Sequence, residues 1–379
     1  MAQRVKTDWF LFNTILLMVS FGLVMVYSAS SVMAQLKFAS STHFIARQLG
    51  WALLSFFVLM YCKRHDYRTM QSSRFAFGAL GVVLVMLIAV YFVDGRSHRW
   101  FRLPFGSLQP SEFAKPALIL FLAYFLTRRT QLINDTRTII QATLALAVLA
   151  ITVVVADLGT AIVLIATALV MFFVAGLEWK YFAAAVAALL LFATVAVIMK
   201  PYRLARVISY VDPEFTIADI FDSSGKLKKV LNDSVAGRDG GYQIRQAKIA
   251  IGSGGASGLG LMQSRQKWLF LPESHTDTIY AIVGEELGIG GCLFVLAGFL
   301  VILWRGLRLY WTAPDDFGRY LALGVTASIV IQALINMSVV LDLGPTKGIP
   351  LPMISFGGSS LLSTLLCLGM LLSVSEQAE

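Results

Sequence analysis

The chain has 379 residues, of which 57% are hydrophobic and only 14% charged, and its mean hydropathy is +0.74. Soluble domains carry about 25% charged residues, so the composition excludes a soluble protein and indicates an integral membrane protein. The net charge of +9 does not require a nucleic-acid partner, because basic residues in short cytoplasmic loops give membrane proteins the same excess.

Apolar runs long enough to cross a bilayer recur along the whole chain. We predict ten transmembrane helices, at residues 10–29, 44–62, 75–93, 112–127, 138–155, 158–176, 181–199, 278–304, 319–340 and 351–373. The fifth and sixth runs would form one helix of roughly 55 Å, so the chain is predicted to turn back near Asp157. The predicted fold is an all-α polytopic membrane domain covering residues 1–379.

The distribution of basic residues predicts the orientation. With the N-terminus inside, short cytoplasmic loops hold thirteen lysines and arginines, whereas the opposite short loops hold only five. The excess marks the cytoplasmic side, so both termini are predicted to be cytoplasmic and residues 200–277 form a large extracytoplasmic loop before helix 8. Within this loop, residues 215–238 are polar, and "YQIRQAKIAIGSGGASGLG" is predicted to be too glycine-rich for a stable helix.

Charged residues at membrane depth usually have a partner or a function. In "QPSEFAK", Glu112 and Lys115 lie one helical turn apart on one face, which indicates either an intrahelical ion pair or a functional pair. In "RSHRWFRLP", Arg96, Arg99 and Arg102 are either interfacial arginines around Trp100 or a cradle for an anion.

Two further motifs are candidates for a site. Prolines and glycines exclude regular helix from "DLGPTKGIPLPMISFGGSS", which is either a cavity wall carrying Lys347 or a plain turn. In "LPESHTDTIYAIVGEELG", the alternating Glu273, His275 and Asp277 would share one side of an extended segment. They are interpreted as a metal set, as the source of a general base, or, through Thr276 or Asp277, as a helix N-cap.

The motifs "WFRLPFGSLQPSEFAK", "DLGTA", "GGYQIRQAKIAIGSGG", "LPESHTDTIYAIVGEELG" and "GPTKGIPLPMISFGGSS" resemble, in order, signature segments of the SEDS proteins of bacterial shape, elongation, division and sporulation. The resemblance implies ten helices, cytoplasmic termini and a large outer loop before helix 8. It also implies a peptidoglycan glycosyltransferase that polymerises lipid II, with inversion, at the outer face of the cytoplasmic membrane. "GPTKG", "VGEELG" and "GGSS" are more similar to the division-type (FtsW) members than to the RodA type.

The resemblance assigns the role of Asp277, and the chemistry of the proposed reaction suggests roles for other residues. Asp277 matches the essential aspartate of the family and is predicted to be the general base. Residues predicted to bind the substrate, most of them through its diphosphate, are Arg96, Arg99, Arg102, Lys347, Arg203, Arg206, Arg245, His275 and Ser359. Residues predicted to keep the cavity in shape are Glu112, Lys115, Asp157 and Glu286.

The resemblance further implies a divalent cation, Mg²⁺ or Mn²⁺, bridging the diphosphate and a carboxylate such as Glu273 or Asp277, and no organic cofactor. The implied partners are lipid II, the nascent glycan strand, membrane lipids, other division proteins and a class B penicillin-binding protein for cross-linking, with the division septum as location. The alternatives are a RodA-type elongation polymerase, a lipid II flippase and a division scaffold without catalysis.

Overall fold

The structure of the chain is a computed structural model that describes residues 7–95, 97–103, 106–198, 208, 240–344 and 348–378. Its helices are α1 Trp9–Phe38, α2 His43–Arg64, α3 Ser73–Val93, α4 Pro110–Arg129, α5 Thr136–Ala156, α6 Leu158–Val174, α7 Trp179–Ile198, α8 Gly240–Gly254, α9 Ile279–Thr312, α10 Asp316–Val340 and α11 Gly358–Ser375. A small antiparallel hairpin, β1 Phe101–Leu103 and β2 Gly106–Leu108, precedes α4, and 3-10 turns occupy Tyr67–Met70 and Thr130–Leu132.

The predicted all-α membrane fold is confirmed. Seven of the described helices, namely α1, α2, α3, α5, α9, α10 and α11, are long and apolar enough to cross a membrane; α6 and the Trp179–Val195 part of α7 are shorter apolar helices. α4 is as long as a span but carries four charged residues. Each predicted apolar range overlaps one of these ten helices, while the number of true membrane crossings stays a prediction.

The chain divides at Asp157, as the length argument required. α5 ends at the preceding residue and α6 begins at the following one, and the two helices pack against each other. Asp157 caps α6, because its Oδ1 accepts a hydrogen bond of 2.9 Å from the Gly159 N–H. A carboxylate at this helix N-terminus also interacts favourably with the helix dipole.

The core lies around α4, α10 and α11. Almost every α4 side chain between Pro110 and Leu126 is buried. In the most apolar stretches of α10 and α11, 72% and 83% of the residues are buried. The surrounding helices leave large apolar side chains exposed, such as Leu53 and Phe57 on α2. In a bilayer these exposed apolar faces contact hydrocarbon.

The prediction that the glycine-rich segment cannot form a helix is wrong, because α8 occupies Gly240–Gly254. Its glycines gather at the two ends, while the middle contains good helix formers. Ala247 and Ala250 are buried as α8 packs against α9. A Cβ on Gly254 would overlap the Gly284 carbonyl group, so this glycine permits a close backbone approach to α9.

The first and last described residues of the chain lie at the same end of the helical bundle. This end is called the terminal end. Thr7 Oγ1 donates a 3.1 Å hydrogen bond to Glu376, and Glu376 also pairs with Lys63 at 3.4 Å. Ser28 lies twenty residues along α1 from Asp8, about 30 Å at 1.5 Å per residue. At that level the next residue, Ala29, accepts a hydrogen bond from Ser274. Residues 271–278 therefore lie toward the opposite end of the bundle, the loop end.

Candidate functional site

Asp277 lies at the loop end, two residues before α9. It is half-buried and borders a small cavity lined by Gln243, Ile244 and Ala247 of α8 and by Val339 and Val340 of α10. The acid is thus neither sealed in the apolar core nor placed at the terminal end, so it has the surroundings expected of a carboxylate that meets a ligand.

The N-cap of α9 is Thr278, so the interpretation of Thr276 or Asp277 as the cap is wrong. The Thr278 hydroxyl donates instead to the carbonyl groups of Pro272 and Glu273, at 3.1 and 3.0 Å. These bonds close residues 272–278 into a turn.

This turn also prevents the predicted metal set. Glu273 has a left-handed backbone, with φ 51°, and its carbonyl group accepts a 3.1 Å bond from the Thr276 N–H. The extended alternation that would bring Glu273, His275 and Asp277 to one side is therefore broken. Among the described residues, no three His, Cys, Asp or Glu side chains form a group that could hold a metal ion, so the interpretation of these three as a protein-only metal site is wrong.

A second segment, residues 348–357, is packed against 271–278. Ser355 Oγ donates to the Thr276 carbonyl group at 2.6 Å, and the Phe356 N–H donates to the His275 carbonyl group at 2.9 Å. A Cβ on Gly348 would overlap Asp277 Oδ2. The irregular backbone predicted from the prolines is thus part of the wall around Asp277, where only a glycine leaves room for the carboxylate.

His275 is buried in this wall rather than open to a ligand. Its ring centroid lies 4.6 Å from that of Phe44 and 5.5 Å from that of Phe356. Burial lowers the pKa of the imidazole below its usual value, despite the opposing charge of Glu273, so the ring is neutral at pH 7. In this arrangement His275 packs the segment in place and does not supply a cation for a phosphate.

The predicted pair of Glu112 and Lys115 forms an ion pair inside the bundle. Lys115 Nζ donates to Glu112 Oε2 at 2.7 Å and to Gln332 Oε1 of α10 at 2.6 Å. Gln332 Nε2 in turn donates to the Pro350 carbonyl group at 2.8 Å. The ion pair is thereby connected to the wall of the Asp277 cavity.

Arg99 is engaged by Asp157. Its Nη2 donates to Asp157 Oδ2 at 3.0 Å, and Gln109 and Thr160 donate to the same oxygen at 3.1 and 3.0 Å. The turn before Arg99 is held by Asp94, which accepts from the Arg99 and Trp100 N–H groups. In this conformation Arg99 stabilises the α5–α6 junction, whereas its predicted diphosphate contact requires this ion pair to open.

Other predicted substrate ligands lie in varied positions. Arg102 is exposed on β1 opposite Ser107, and Arg245 is exposed on α8, the helix that also borders the Asp277 cavity. Ser359 is buried in the first turn of α11. Arg96, Arg203, Arg206 and Lys347, together with the polar insert 215–238, lie outside the described residues.

Glu286 joins the loop before α9 to α1 and does not line the Asp277 cavity. It is fully buried, and its carboxylate accepts bonds from Ser28 Oγ at 2.7 Å and from the Met262 N–H at 3.1 Å. Lys267 pairs with it at 3.3 Å, and the adjacent Glu285 accepts from the Arg265 N–H at 2.9 Å. Lys267 was not predicted from the sequence. The paired glutamates were the only local feature that could have indicated a cation such as Lys267.

The described site therefore combines the half-buried Asp277 carboxylate with a wall of hydrogen-bonded backbone at the loop end. A half-buried carboxylate can accept a proton from a hydroxyl group. Exposed arginines such as Arg102 and Arg245 can attract a phosphate-bearing molecule. A lipid tail on such a molecule could remain in the hydrocarbon of the bilayer, next to the apolar exterior of the bundle.

Comparisons with known proteins agree over the whole chain. The family model for FtsW, RodA and SpoVE, described as "Cell cycle protein", matches residues 8–379. The chain is 39% identical to the probable peptidoglycan glycosyltransferase FtsW of Geobacter metallireducens, covering 94% of this chain and 91% of that protein. It is 38% identical to the stage V sporulation protein E of Bacillus subtilis, covering 99% and 98%.

Solved structures give the same result for the fold. A chain from a peptidoglycan synthase complex, described as coordinating polymerization and crosslinking, matches with a TM-score of 0.73 and 25% identity over 98% of both chains. The rod shape determining protein RodA of Thermus thermophilus matches with a TM-score of 0.69 and 24% identity over 98% of this chain and 97% of that one.

Proposed function

Because the chain belongs to the FtsW, RodA and SpoVE family, we propose that it is a peptidoglycan glycosyltransferase that polymerises lipid II into glycan strands at the outer face of the cytoplasmic membrane. The observation that carries this proposal is the half-buried Asp277 carboxylate against Gly348, at the loop end of a multi-pass membrane bundle. The FtsW type is favoured over RodA, since relatives with that name match over nearly the full chain.

The proposed reaction forms one glycosidic bond and breaks one glycosyl–diphosphate bond. The 4-hydroxyl oxygen of the acceptor sugar attacks the anomeric carbon of a lipid-linked donor with inversion, and the hydroxyl proton passes to the Asp277 carboxylate. The bond from the anomeric carbon to the diphosphate breaks, and the lipid diphosphate leaves with the electron pair.

Cations stabilise the negative charge that develops on the leaving diphosphate. Arg102 and Arg245 are exposed and available for this role, and we extend it to Arg96, Arg203, Arg206 and Lys347. A divalent cation, Mg²⁺ or Mn²⁺, would be held by a single carboxylate such as Asp277 and would supply positive charge against the leaving diphosphate, since the described side chains do not form a closed metal site. No step of the proposed reaction depends on it.

The orientation of the bundle yields a prediction. We place both termini in the cytoplasm and Glu273 outside, because basic residues favour the cytoplasmic side. In spheroplasts, Glu273→Cys is expected to react with a membrane-impermeant maleimide, whereas Lys180→Cys is expected to react only after permeabilisation. Wild type is the control for its native cysteines, of which Cys62 and Cys367 are buried. If only Lys180→Cys were labelled in intact spheroplasts, the orientation would be the reverse of the one proposed.

A transpeptidase partner follows from the proposed product, because un-cross-linked glycan strands need a second activity. We propose a class B penicillin-binding protein as that partner and the division septum as the place of action, with other division proteins in the same assembly. The similarity to a chain from a peptidoglycan synthase complex supports such an association.

The test of the function is polymerisation of purified lipid II by the purified chain, with and without the class B penicillin-binding protein. Wild type is expected to give glycan strands, resolved from unreacted lipid II by gel electrophoresis. A chain that remains folded beside its partner and yields no polymer would overturn the proposal. If the same protein moved lipid II across the bilayer of proteoliposomes, the flippase alternative would replace it.

A further inference from the structure

Two amide side chains project from one face of α10. Gln332 and Asn336 are one helical turn apart and only 3% and 2% exposed. A buried amide is costly unless it forms hydrogen bonds, and α10 is otherwise rich in apolar residues. The partners of these two amides therefore indicate why they are there.

Asn336 connects the two segments that form the wall around Asp277. Its Nδ2 donates to the Asp277 carbonyl group at 2.8 Å and to the Ile349 carbonyl group at 2.7 Å. Both N–H bonds of the amide are thus used. The opposite orientation would place the amide oxygen against two carbonyl oxygens, so the contacts define which atom is the nitrogen.

Gln332 holds the next carbonyl group of the same segment. Its Nε2 donates to Pro350 at 2.8 Å, while its Oε1 accepts from Lys115 Nζ at 2.6 Å. An ammonium group only donates, which fixes the orientation of this amide as well. Ile349 and Pro350 are consequently fastened to α10 by successive carbonyl groups.

These bonds act on the residue that touches the carboxylate. Gly348 directly precedes Ile349 and leaves no space for a Cβ beside Asp277 Oδ2. Asn336 therefore holds the main chain of Asp277 and, at the same time, the main chain next to its carboxylate. A small shift of either segment changes the distance between that carboxylate and a substrate hydroxyl.

We propose that Asn336 is a positioning residue for Asp277, supported by Gln332 through Pro350; this inference rests on the proposed glycosyltransferase function. A misplacement of about 1 Å in a catalytic group can lower a rate by about 100-fold. Loss of Asn336 is accordingly expected to reduce the rate of bond formation far more than the binding of lipid II.

The experiment is a double-mutant cycle on the full chain with its penicillin-binding partner, using Asn336→Leu, Gly348→Ala and the double variant. Each single change is expected to lower kcat by about 10- to 100-fold, with the KM for lipid II within about twofold of wild type. Because both changes displace the same carboxylate, the double variant is expected to lose far less than the product of the two factors.

Thr326→Val is the matched control. Thr326 is also buried in α10, but its hydroxyl donates to Ala322 within the helix, so it does not hold either segment. Its kcat is expected to stay near that of wild type. When Thr326→Val is combined with Gly348→Ala, the reduction in kcat is expected to equal the product of the two single reductions. Gln332→Glu provides a second variant, because a carboxylate still accepts from Lys115 but cannot donate to Pro350; a drop in kcat is expected here too.

Hydrogen exchange separates this inference from the proposed function. In Asn336→Leu, amides of residues 271–278 and 348–357 are expected to exchange faster than in wild type, whether or not the protein polymerises lipid II. Unchanged exchange, an unchanged kcat, or fully multiplicative effects with Gly348→Ala would overturn the positioning role. Absence of polymer from wild type would instead overturn the function while the exchange result still tests the anchoring.

Discussion

Asp277→Asn is expected to lower the kcat for glycan polymerisation by about 100- to 10,000-fold, the range for removal of a general base. The amide has nearly the same size as the carboxylate, but it cannot take the proton of the acceptor hydroxyl. Because Asp277 is half-buried at the loop end, the change is expected to leave a folded protein. The measurement is polymer formed per unit time at equal amounts of monodisperse protein.

Glu273→Gln is the control for this variant. Glu273 is exposed four residues earlier, and its carboxylate accepts from Thr276 Oγ1 at 3.0 Å. It is expected to retain close to wild-type kcat. An equal loss in both variants would mean that the two acids act together, and the assignment of Asp277 as the sole base would then fail.

Lys115→Met is expected to have the largest effect on stability. The side chains of Lys115 and Glu112 are only 5% and 2% exposed. The change therefore leaves the Glu112 carboxylate buried without its cationic partner. Removing one partner of a buried ion pair costs about 3–5 kcal/mol. The measurement is the free energy of unfolding in detergent. The double change Glu112→Gln with Lys115→Met is expected to be less harmful than Lys115→Met alone, since it removes the unpaired charge.

Lys180→Met is the matched control, because Lys180 pairs with Glu178 but remains 65% exposed. Exposed pairs contribute little to stability, so its unfolding curve is expected to overlay that of wild type. If Lys115→Met also unfolded as wild type does, the buried pair would not hold the bundle together.

The membrane fold was predictable because hydrophobic length is a local signal. Each apolar range contains a helix, and the break at Asp157 followed from the length of a membrane span. The helix α8 was missed for a tertiary reason. Glycine lowers intrinsic helix propensity, yet the packing of Ala247 and Ala250 on α9 stabilises the helix, and the close approach at Gly254 requires glycine.

The candidate site was only partly predictable. The spacing of Glu112 and Lys115 indicates their contact, because both lie on one helix. Asn336 lies 59 positions from Asp277, and Ser28 lies 258 positions from Glu286. No local pattern encodes such contacts. For the same reason Arg99 was assigned to a ligand, since its partner Asp157 lies two helices further along the chain.

Binding of lipid II and formation of the glycosidic bond can be measured separately at Asp277. Lipid II affinity and the single-turnover rate of glycosidic bond formation at saturating lipid II are to be measured for wild type and Asp277→Asn. If Asp277 is the general base, the affinity of Asp277→Asn is expected to stay within about twofold of wild type, and bond formation is expected to be slower by about 100-fold or more. Weakened affinity with a wild-type rate at saturation would contradict this role, because Asp277 would then bind the substrate without accepting its proton.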